Sequence, residues 1–154
     1  MAKVILESLN KVFTSKIGND VKAVNNFNLL LEDGEILALL GSSGCGKTTT
    51  LRMIAGFETA SSGQIKIGER IVNDLKPAER NVAMAFEGYA LYPPLTVRDN
   101  IAFSLMREKI SKEKVDSKVM EVAELLEITD ILERYPPSIS GGQQQRVSLA
   151  RALV

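Results

Sequence analysis

The feature that most constrains this chain is a glycine-rich stretch between an apolar run and a helical pattern. The stretch matches G-x-x-x-x-G-K-S/T and reads Gly41-Ser42-Ser43-Gly44-Cys45-Gly46-Lys47-Thr48-Thr49. Glycines let a backbone approach an anion closely and take conformations that are closed to other residues. The N–H groups of such a loop surround a phosphate chain, Lys47 reaches the outer phosphates, and the Thr48 hydroxyl is a ligand for Mg²⁺. The stretch therefore predicts a binding site for a phosphate chain.

The residues on either side of this loop favour a strand, a loop and a helix in that order. The apolar run at 35–40 predicts a short buried strand, and residues 50–55 have a helical pattern that Gly56 is placed to end. A helix N-terminus favours an anion because its first N–H groups are unpaired and its dipole is positive there. An ordinary strand-to-helix turn is the alternative interpretation.

Composition limits the chemistry that the chain can perform. With 154 residues it has the size of one domain, and it contains no histidine, which excludes Ser–His and Cys–His catalysis and His-ligated metals. Nineteen basic residues balance nineteen acidic ones, so no net charge draws the chain to nucleic acid. Cys45 is the one cysteine, which suits a reducing cytosol. No apolar run reaches the roughly 18 residues of a membrane helix, so we expect any membrane role to come through a partner.

The rest of the chain predicts strands first and helices later. Strands are predicted at 4–6, 12–13, 24–31 and 64–67, with a short one at 71–72 and a second buried one at 82–86. A capping arrangement at 96–99 predicts a helix, Ser111 is placed to cap another, and a short third one is expected near 128–132. We therefore predict a helix-rich block at about 98–138 inserted into an α/β body.

A second glycine motif precedes the last helical pattern of the chain. In Ser140-Gly141-Gly142-Gln143, Ser140 can cap the helix and Gln143 stands three residues later, as in a capping box. The two glycines leave the backbone open to an anion. By itself the motif favours a plain capped helix, but together with residues 41–49 it predicts a second phosphate contact.

The two motifs together resemble those of the ATP-hydrolysing subunit of ATP-binding-cassette (ABC) transporters, most closely the ATPases of sugar-type importers. Residues 41–49 resemble the family's Walker A loop, and residues 139–143 resemble its signature, usually written with Leu where this chain has Ile139. Residues 77–82 and 89–97 resemble the surroundings of its Q-loop. The resemblance implies an α/β P-loop NTPase core with an antiparallel β-subdomain and an inserted helical subdomain. The core would take about 1–97 and 139–154, and the helical subdomain about 98–138.

The resemblance also implies ATP and Mg²⁺ as ligands and assigns roles to residues. The implied ATP-binding residues are Phe13, stacked on adenine, with Gly41, Ser42, Ser43, Gly44, Cys45, Gly46, Lys47, Thr48 and Thr49. Those of the signature, which would contact the γ-phosphate held by a second subunit, are Ser140, Gly141, Gly142 and Gln143. The implied metal ligands are Thr48 and Glu87.

Two departures from the family pattern affect these expectations. Glu87 stands where the family has Gln, so a carboxylate would replace a neutral amide oxygen beside Mg²⁺; a solvated loop residue is the alternative. The family's Walker B strand with its Asp, the catalytic Glu and the switch His follow the signature helix, and residues 1–154 contain none of them. We expect residues 1–154 to be the N-terminal portion of a longer ATPase, truncated before Walker B. Alone they would bind nucleotide weakly, with no complete catalytic set, and hydrolyse it negligibly.

The implied function is to drive import of a solute of sugar type through a membrane partner. The implied partners are a second ATPase subunit and permease subunits, without nucleic acid or direct membrane insertion, at the cytoplasmic face of the membrane. Candidates for the permease contact are Tyr89, Leu91 and Tyr92, with local loop packing as the alternative. The main alternative function is a non-hydrolysing nucleotide-binding or interaction module. An ABC ATPase acting on DNA is disfavoured by the neutral net charge. An unrelated P-loop kinase or GTPase is disfavoured by residues 140–143.

Overall fold

The computed structural model describes residues 2–15, 18–85, 88, 90–107 and 110–154. The chain divides into two compact units, Met1–Val82 and Ala83–Val154, which are described one at a time. The predicted division into a core and a helical subdomain at about 97 and 139 stays a prediction.

The first unit is built on a four-stranded antiparallel sheet and one helix. Its strands are β1 (Val4–Phe13), β2 (Val21–Leu31), β3 (Ser62–Ile67) and β4 (Arg70–Ile71), in the order β2-β1-β3-β4. Its helix is α1 (Lys47–Ala55), and a 3-10 turn follows at Pro77–Glu79. β1 is continuous, although the sequence predicted two separate pieces, because both of its edges pair with neighbouring strands along its length.

The core of this unit lies between the sheet and α1. Its buried members are Leu6, Leu9, Val24, Met53, Ile65 and Val72. Met53 brings α1 into this cluster, whereas the other five come from the strands and the turn after β4. The core therefore fixes α1 against the sheet and with it the loop that precedes the helix.

Two predicted buried strands are wrong. Residues 35–40 form no strand and are largely exposed, with Ile36 99% and Leu40 90% accessible. Residues 82–85 are also irregular, and Phe86, the last of that prediction, lies outside the described residues. An apolar run becomes a strand only when another strand pairs with its backbone, and within the described residues no strand pairs with either run.

The second unit is helical. It contains α2 (Val97–Ala102), α3 (Lys112–Leu125) and α4 (Gly141–Leu153), with 3-10 turns at Leu105–Arg107, Thr129–Ile131 and Pro136–Ser138. Its core includes buried residues of all three helices, among them Ile101, Val119 and Val147. The helix predicted to follow Ser111 is confirmed as α3, while the short helix expected near 128–132 is a single 3-10 turn.

The cap predicted for α2 is confirmed, whereas the one predicted for α3 is not formed. The Thr96 hydroxyl accepts a hydrogen bond from the Asp99 N–H at 3.1 Å. Ser111 occupies the N-cap position of α3 but makes no side-chain capping bond to the helix backbone. The two helix starts are therefore held to different degrees.

Candidate functional site

The glycine-rich loop leads directly into α1, and no side chain caps the helix. Gly46 is the N-cap residue with φ 91°, and Gly44 (φ 83°) and Gly41 (φ 153°) also have positive φ. L-residues with side chains rarely adopt these conformations, so the path of the loop requires glycine. The first N–H groups of α1 are left without a side-chain acceptor, which makes this helix start receptive to an anion.

Gly46 is also required by its surroundings. A Cβ atom at this position would lie 2.4 Å from the Ala23 carbonyl oxygen and 3.3 Å from Val24 Cγ2, both on β2. At Gly41 a Cβ atom would lie 2.8 Å from Cys45 Sγ. The loop is thus in close contact with the sheet at Gly46 and with itself at Gly41.

The Lys47 side chain folds back over the loop. Its ammonium donates hydrogen bonds to the carbonyl oxygens of Gly41 and Ser42, each at 2.8 Å, and contacts Cys45 Sγ at 3.4 Å. The side chain predicted to reach phosphate is therefore held in the loop by neutral acceptors. Charged phosphate oxygens are stronger acceptors than carbonyls and can take their place.

Two cavities adjoin this loop. One of about 450 Å³ is lined by Ser43, Gly44, Gly46, Lys47, Thr48 and Thr49. The other, of about 400 Å³, lies between the loop and β2 and is lined by Lys22, Ala23, Val24, Asn25, Phe27, Leu39, Leu40, Gly44, Cys45, Gly46, Lys47 and Thr50. Both volumes lie within the range of small-molecule sites. Each of residues 43–49 therefore lines at least one of two cavities whose volumes suit a small molecule.

Phe13 lies at the end of β1 and is 41% exposed. It lines neither of the two cavities, but it pairs with Val21 of β2, and the residues that follow Val21 line the second cavity. The ammonium of Lys11 lies 4.8 Å from the centroid of the Phe13 ring. The ring predicted to stack on a base thus has a cation at one face.

Of the two predicted metal ligands, the structure describes only Thr48. Thr48 is exposed in the first turn of α1, while Glu87 lies outside the described residues. Within the ranges that the structure describes, no three His, Cys, Asp or Glu residues are grouped so as to hold a metal ion. Mg²⁺ in phosphate sites is commonly held by one or two protein ligands together with phosphate oxygens. The Thr48 hydroxyl beside the first cavity fits a site of this kind. The described residues do not fit a site in which protein ligands alone hold the metal.

Arg80 is a structural residue that the sequence did not predict. Its guanidinium is buried and donates to four carbonyl oxygens, at distances from 2.6 to 3.1 Å: those of Met53, Ile54, Asn73 and Leu75. Burial lowers the pKa of Arg80. Two of these carbonyls end α1, where a cation also favours the helix dipole. A long-range clamp of this kind leaves no periodic or spacing signal by which sequence reasoning could have found it.

The second predicted phosphate contact is the start of α4. The Ser140 hydroxyl accepts from the Gln143 N–H at 3.3 Å, and the Gln143 side-chain oxygen accepts from the Ser140 N–H at 2.9 Å. This is the capping box that the sequence predicted. Gly141 and Gly142 are exposed, and a Cβ atom at Gly142 would meet nothing within 4 Å. The helix start is capped and open to solvent.

Of the residues predicted to contact a permease, the two that the structure describes are partly exposed. Tyr92 is 41% exposed and packs on Phe103 with ring centroids 4.5 Å apart. Leu91 packs against the core of the second unit, and Tyr89 lies outside the described residues. The buried Asn100 fixes the backbone of Tyr92, since its side chain accepts from the Tyr92 N–H at 2.8 Å and donates to the Tyr92 carbonyl at 3.0 Å.

The geometry of the loop and the capped helix start agrees with the comparison to known families. A family model described as "ABC transporter" matches residues 24–154, which is most of the chain. The chain belongs to the ABC transporter family. The resemblance predicted from the two motifs is therefore confirmed.

Three relatives of this ABC protein illustrate the match. It is 49% identical to an sn-glycerol-3-phosphate import ATP-binding protein of Agrobacterium fabrum, over 100% of this chain and 42% of the relative. It is 51% identical to a trehalose/maltose import ATP-binding protein of Thermococcus litoralis, again over 100% of this chain and 42% of the relative. An osmoprotective compounds uptake ATP-binding protein of Synechocystis is also 51% identical, over 100% of this chain and 41% of its own length. The chain thus spans about 42% of the length of these curated relatives.

Solved structures confirm the predicted fold class. A dimeric ATP-binding cassette in a post-hydrolysis state, bound to ADP and Pi, superposes with a TM-score of 0.86 at 31% identity. The match covers 97% of this chain and 68% of the other. The ABC protein is a mixed α/β protein with an antiparallel sheet and several helices, as predicted. In the part of the chain that the structure describes, no helix combines the length and the apolarity needed to cross a membrane.

Proposed function

We propose that this chain is the nucleotide-binding part of the ATPase subunit of an ABC importer for a solute of sugar type. Relatives at 49% and 51% identity are named as import ATP-binding proteins for sn-glycerol-3-phosphate and for trehalose/maltose. The single observation that carries the proposal is the loop at the start of α1. It combines positive-φ glycines, an uncapped helix N-terminus and the Lys47 ammonium beside a cavity of about 450 Å³.

In this proposal the phosphates of ATP lie against the backbone of residues 41–49. Lys47 exchanges its two carbonyl acceptors for phosphate oxygens, and the Thr48 hydroxyl ligates Mg²⁺. Mg²⁺ neutralises charge on the phosphates when it is bound. Glu87 would be a further metal ligand, and Phe13 would stack on the adenine.

The proposed partners are a second ATPase subunit and the permease subunits of the transporter. The start of α4, at residues 140–143, would contact the γ-phosphate of ATP on the second subunit, and Tyr92 would belong to the permease contact. Support comes from the dimeric state of the matched cassette and from the exposed, capped start of α4. The protein would act at the cytoplasmic face of the membrane, and its balanced charge gives no reason to expect a nucleic-acid partner.

The test is the affinity for Mg-ATP of the wild type and of Lys47→Ala, measured by calorimetry. We expect Lys47→Ala to weaken binding by about 10- to 100-fold, because charge-assisted bonds to phosphate contribute about 1.5–3 kcal/mol. The matched control is Lys66→Ala, which removes the same charge from an ion pair with Glu7 on the sheet. Equal affinities of Lys47→Ala and the wild type would refute the proposal.

A further inference from the structure

Lys11 is a buried cation that the proposed function leaves without a role. Lys11 is 8% exposed, whereas Phe13, two residues further along β1, is 41% exposed. Residues two apart in a strand project from the same face. The Lys11 ammonium accordingly lies over the Phe13 ring, 4.8 Å from its centroid.

The ammonium is held in this position by two acceptors. Lys11 Nζ donates to Glu58 Oε1 at 2.7 Å and to the Thr59 carbonyl oxygen at 2.8 Å. The hydrogen bond from Lys11 lowers the pKa of the Glu58 carboxyl, so the counter-charge stays ionised. Burying a lysine costs free energy unless it is paired in this way. Lys11 is therefore a fixed cation and not a mobile surface charge.

The segment that holds Lys11 also holds the backbone next to Phe13. The Val12 N–H donates to Ser61 Oγ at 3.0 Å, and the Ser61 N–H donates to the Asn10 carbonyl at 2.9 Å. The end of β1 is thus fixed to residues 58–61 through both backbone and side chain.

The same segment continues directly from α1. The N–H groups of Phe57 and Glu58 donate to the Arg52 carbonyl in α1, at 2.9 and 3.2 Å. Because α1 begins at Lys47, one short stretch of chain connects the loop at residues 41–49 to the residues that hold the Phe13 ring. The two groups proposed to bind opposite ends of ATP are therefore linked through α1.

We propose that Lys11 is a positioning residue for base binding: its ammonium occupies one face of the Phe13 ring and presents the other face to the adenine. This inference rests on the proposed function. A cation at one face is attracted by the ring quadrupole and draws electron density toward itself. The opposite face then stacks better on an electron-rich purine, in a contact of the kind by which aromatic rings bind bases.

The test separates base binding from phosphate binding with two ligands on the full chain. One is Mg-ATP, and the other is Mg-tripolyphosphate, which has no base. We expect Lys11→Met to weaken Mg-ATP binding about fivefold and to change tripolyphosphate binding by less than about twofold. A loss of general stability would lower both affinities together, so equal losses would overturn the proposal.

A double-mutant cycle with Phe13 shows whether Lys11 acts through the ring. In a Phe13→Ala background we expect Lys11→Met to have no further effect on Mg-ATP binding. An undiminished effect in that background would overturn the proposal. The matched control is Lys66→Met on β3, which removes a lysine from an ion pair with Glu7, six residues before Phe13 on β1, and should leave both affinities unchanged.

Two further variants keep the inference testable if Lys11→Met does not fold. Lys11→Arg retains a cation and should keep most of the Mg-ATP affinity, while Glu58→Gln removes one anchor and should weaken Mg-ATP binding alone. Unchanged Mg-ATP affinity in Glu58→Gln would count against the role of Lys11. Failure of the proposed function itself has a separate sign, since Lys47→Ala would then bind both ligands as the wild type does.

Discussion

At the scale of single residues, the loop at residues 41–49 is shaped by glycines that differ in the room available for a methyl group. Gly44 and Gly46 have almost the same backbone conformation, with φ 83° and 91°. They differ in their neighbours: a Cβ atom at Gly44 meets nothing within 4 Å, whereas one at Gly46 would lie 2.4 Å from a backbone oxygen of β2. The pair separates the effect of conformation from that of packing.

We expect Gly44→Ala to lower the free energy of unfolding by about 1 kcal/mol, which is the cost of a left-handed conformation for a residue with Cβ. Gly46→Ala should lower it by about 2 kcal/mol more, because the clash is with backbone that must move. Urea denaturation of the two variants without ligand measures the difference. Equal losses would mean that the loop does not contact β2 as described.

The residue scale also marks where sequence reasoning stopped. The glycine pattern predicted a site at residues 41–49, and six of these residues, at positions 43, 44 and 46–49, line one cavity. The clamp of Arg80 and the anchoring of Lys11 were not predicted, because each depends on a distant part of the chain: Ile54 is 26 residues from Arg80, and Glu58 is 47 residues from Lys11. Only the three-dimensional structure shows such contacts.

At the scale of elements, the helix starts differ in how well their N-cap residues bind the helix. Ser140 makes a reciprocal capping box with Gln143, while Ser111 makes no capping bond to the backbone of α3. Serine at a bonded N-cap typically contributes about 1 kcal/mol relative to alanine. The two serines are therefore a matched pair for measuring what the cap of α4 contributes.

We expect Ser140→Ala to lower the free energy of unfolding by about 1 kcal/mol and Ser111→Ala by a few tenths, following the presence and absence of the capping bond. Amide hydrogen exchange in the first turns of α4 and α3 locates each effect. Similar losses from both substitutions would contradict the capping geometry.

Elements that depend on interactions between neighbouring residues were predictable, and elements that depend on a partner elsewhere in the chain were not. The starts of α2 and α4 were predicted from caps at Thr96 and Ser140, because capping involves residues within one helical turn. The runs at 35–40 and 82–86 were predicted as strands from apolarity alone. A strand also needs a pairing partner, and apolarity carries no information about whether one is present.

At the scale of the whole molecule, the chain carries two hydrophobic cores, one in each unit. The first core joins the sheet to α1, and the second joins α2, α3 and α4. The loop at residues 41–49 belongs to the unit Met1–Val82, and the capped start of α4 belongs to the unit Ala83–Val154. The family to which the chain belongs was predictable because both motifs are short and local.

We expect residues 1–154 by themselves to bind ATP weakly and to hydrolyse it negligibly, since the catalytic residues that the resemblance implies are not among them. A single-turnover assay with labelled ATP, on this chain and on a version extended in the manner of its relatives, measures this. Turnover by residues 1–154 well above that of the same chain with Lys47→Ala would contradict the expectation. No turnover by the extended version would favour a non-hydrolysing nucleotide-binding module instead.

The two carbonyl oxygens that hold the Lys47 ammonium compete with any ligand for it. A ligand has to replace the carbonyl oxygens of Gly41 and Ser42 as acceptors of the ammonium, and these oxygens are part of the loop itself. Neutral oxygens offer no advantage in this exchange, but anionic oxygens do, since charge-assisted bonds are about twice as strong as neutral ones. The resting loop is in this way a filter for charge: a sugar hydroxyl gains nothing by approaching Lys47, and a phosphate does.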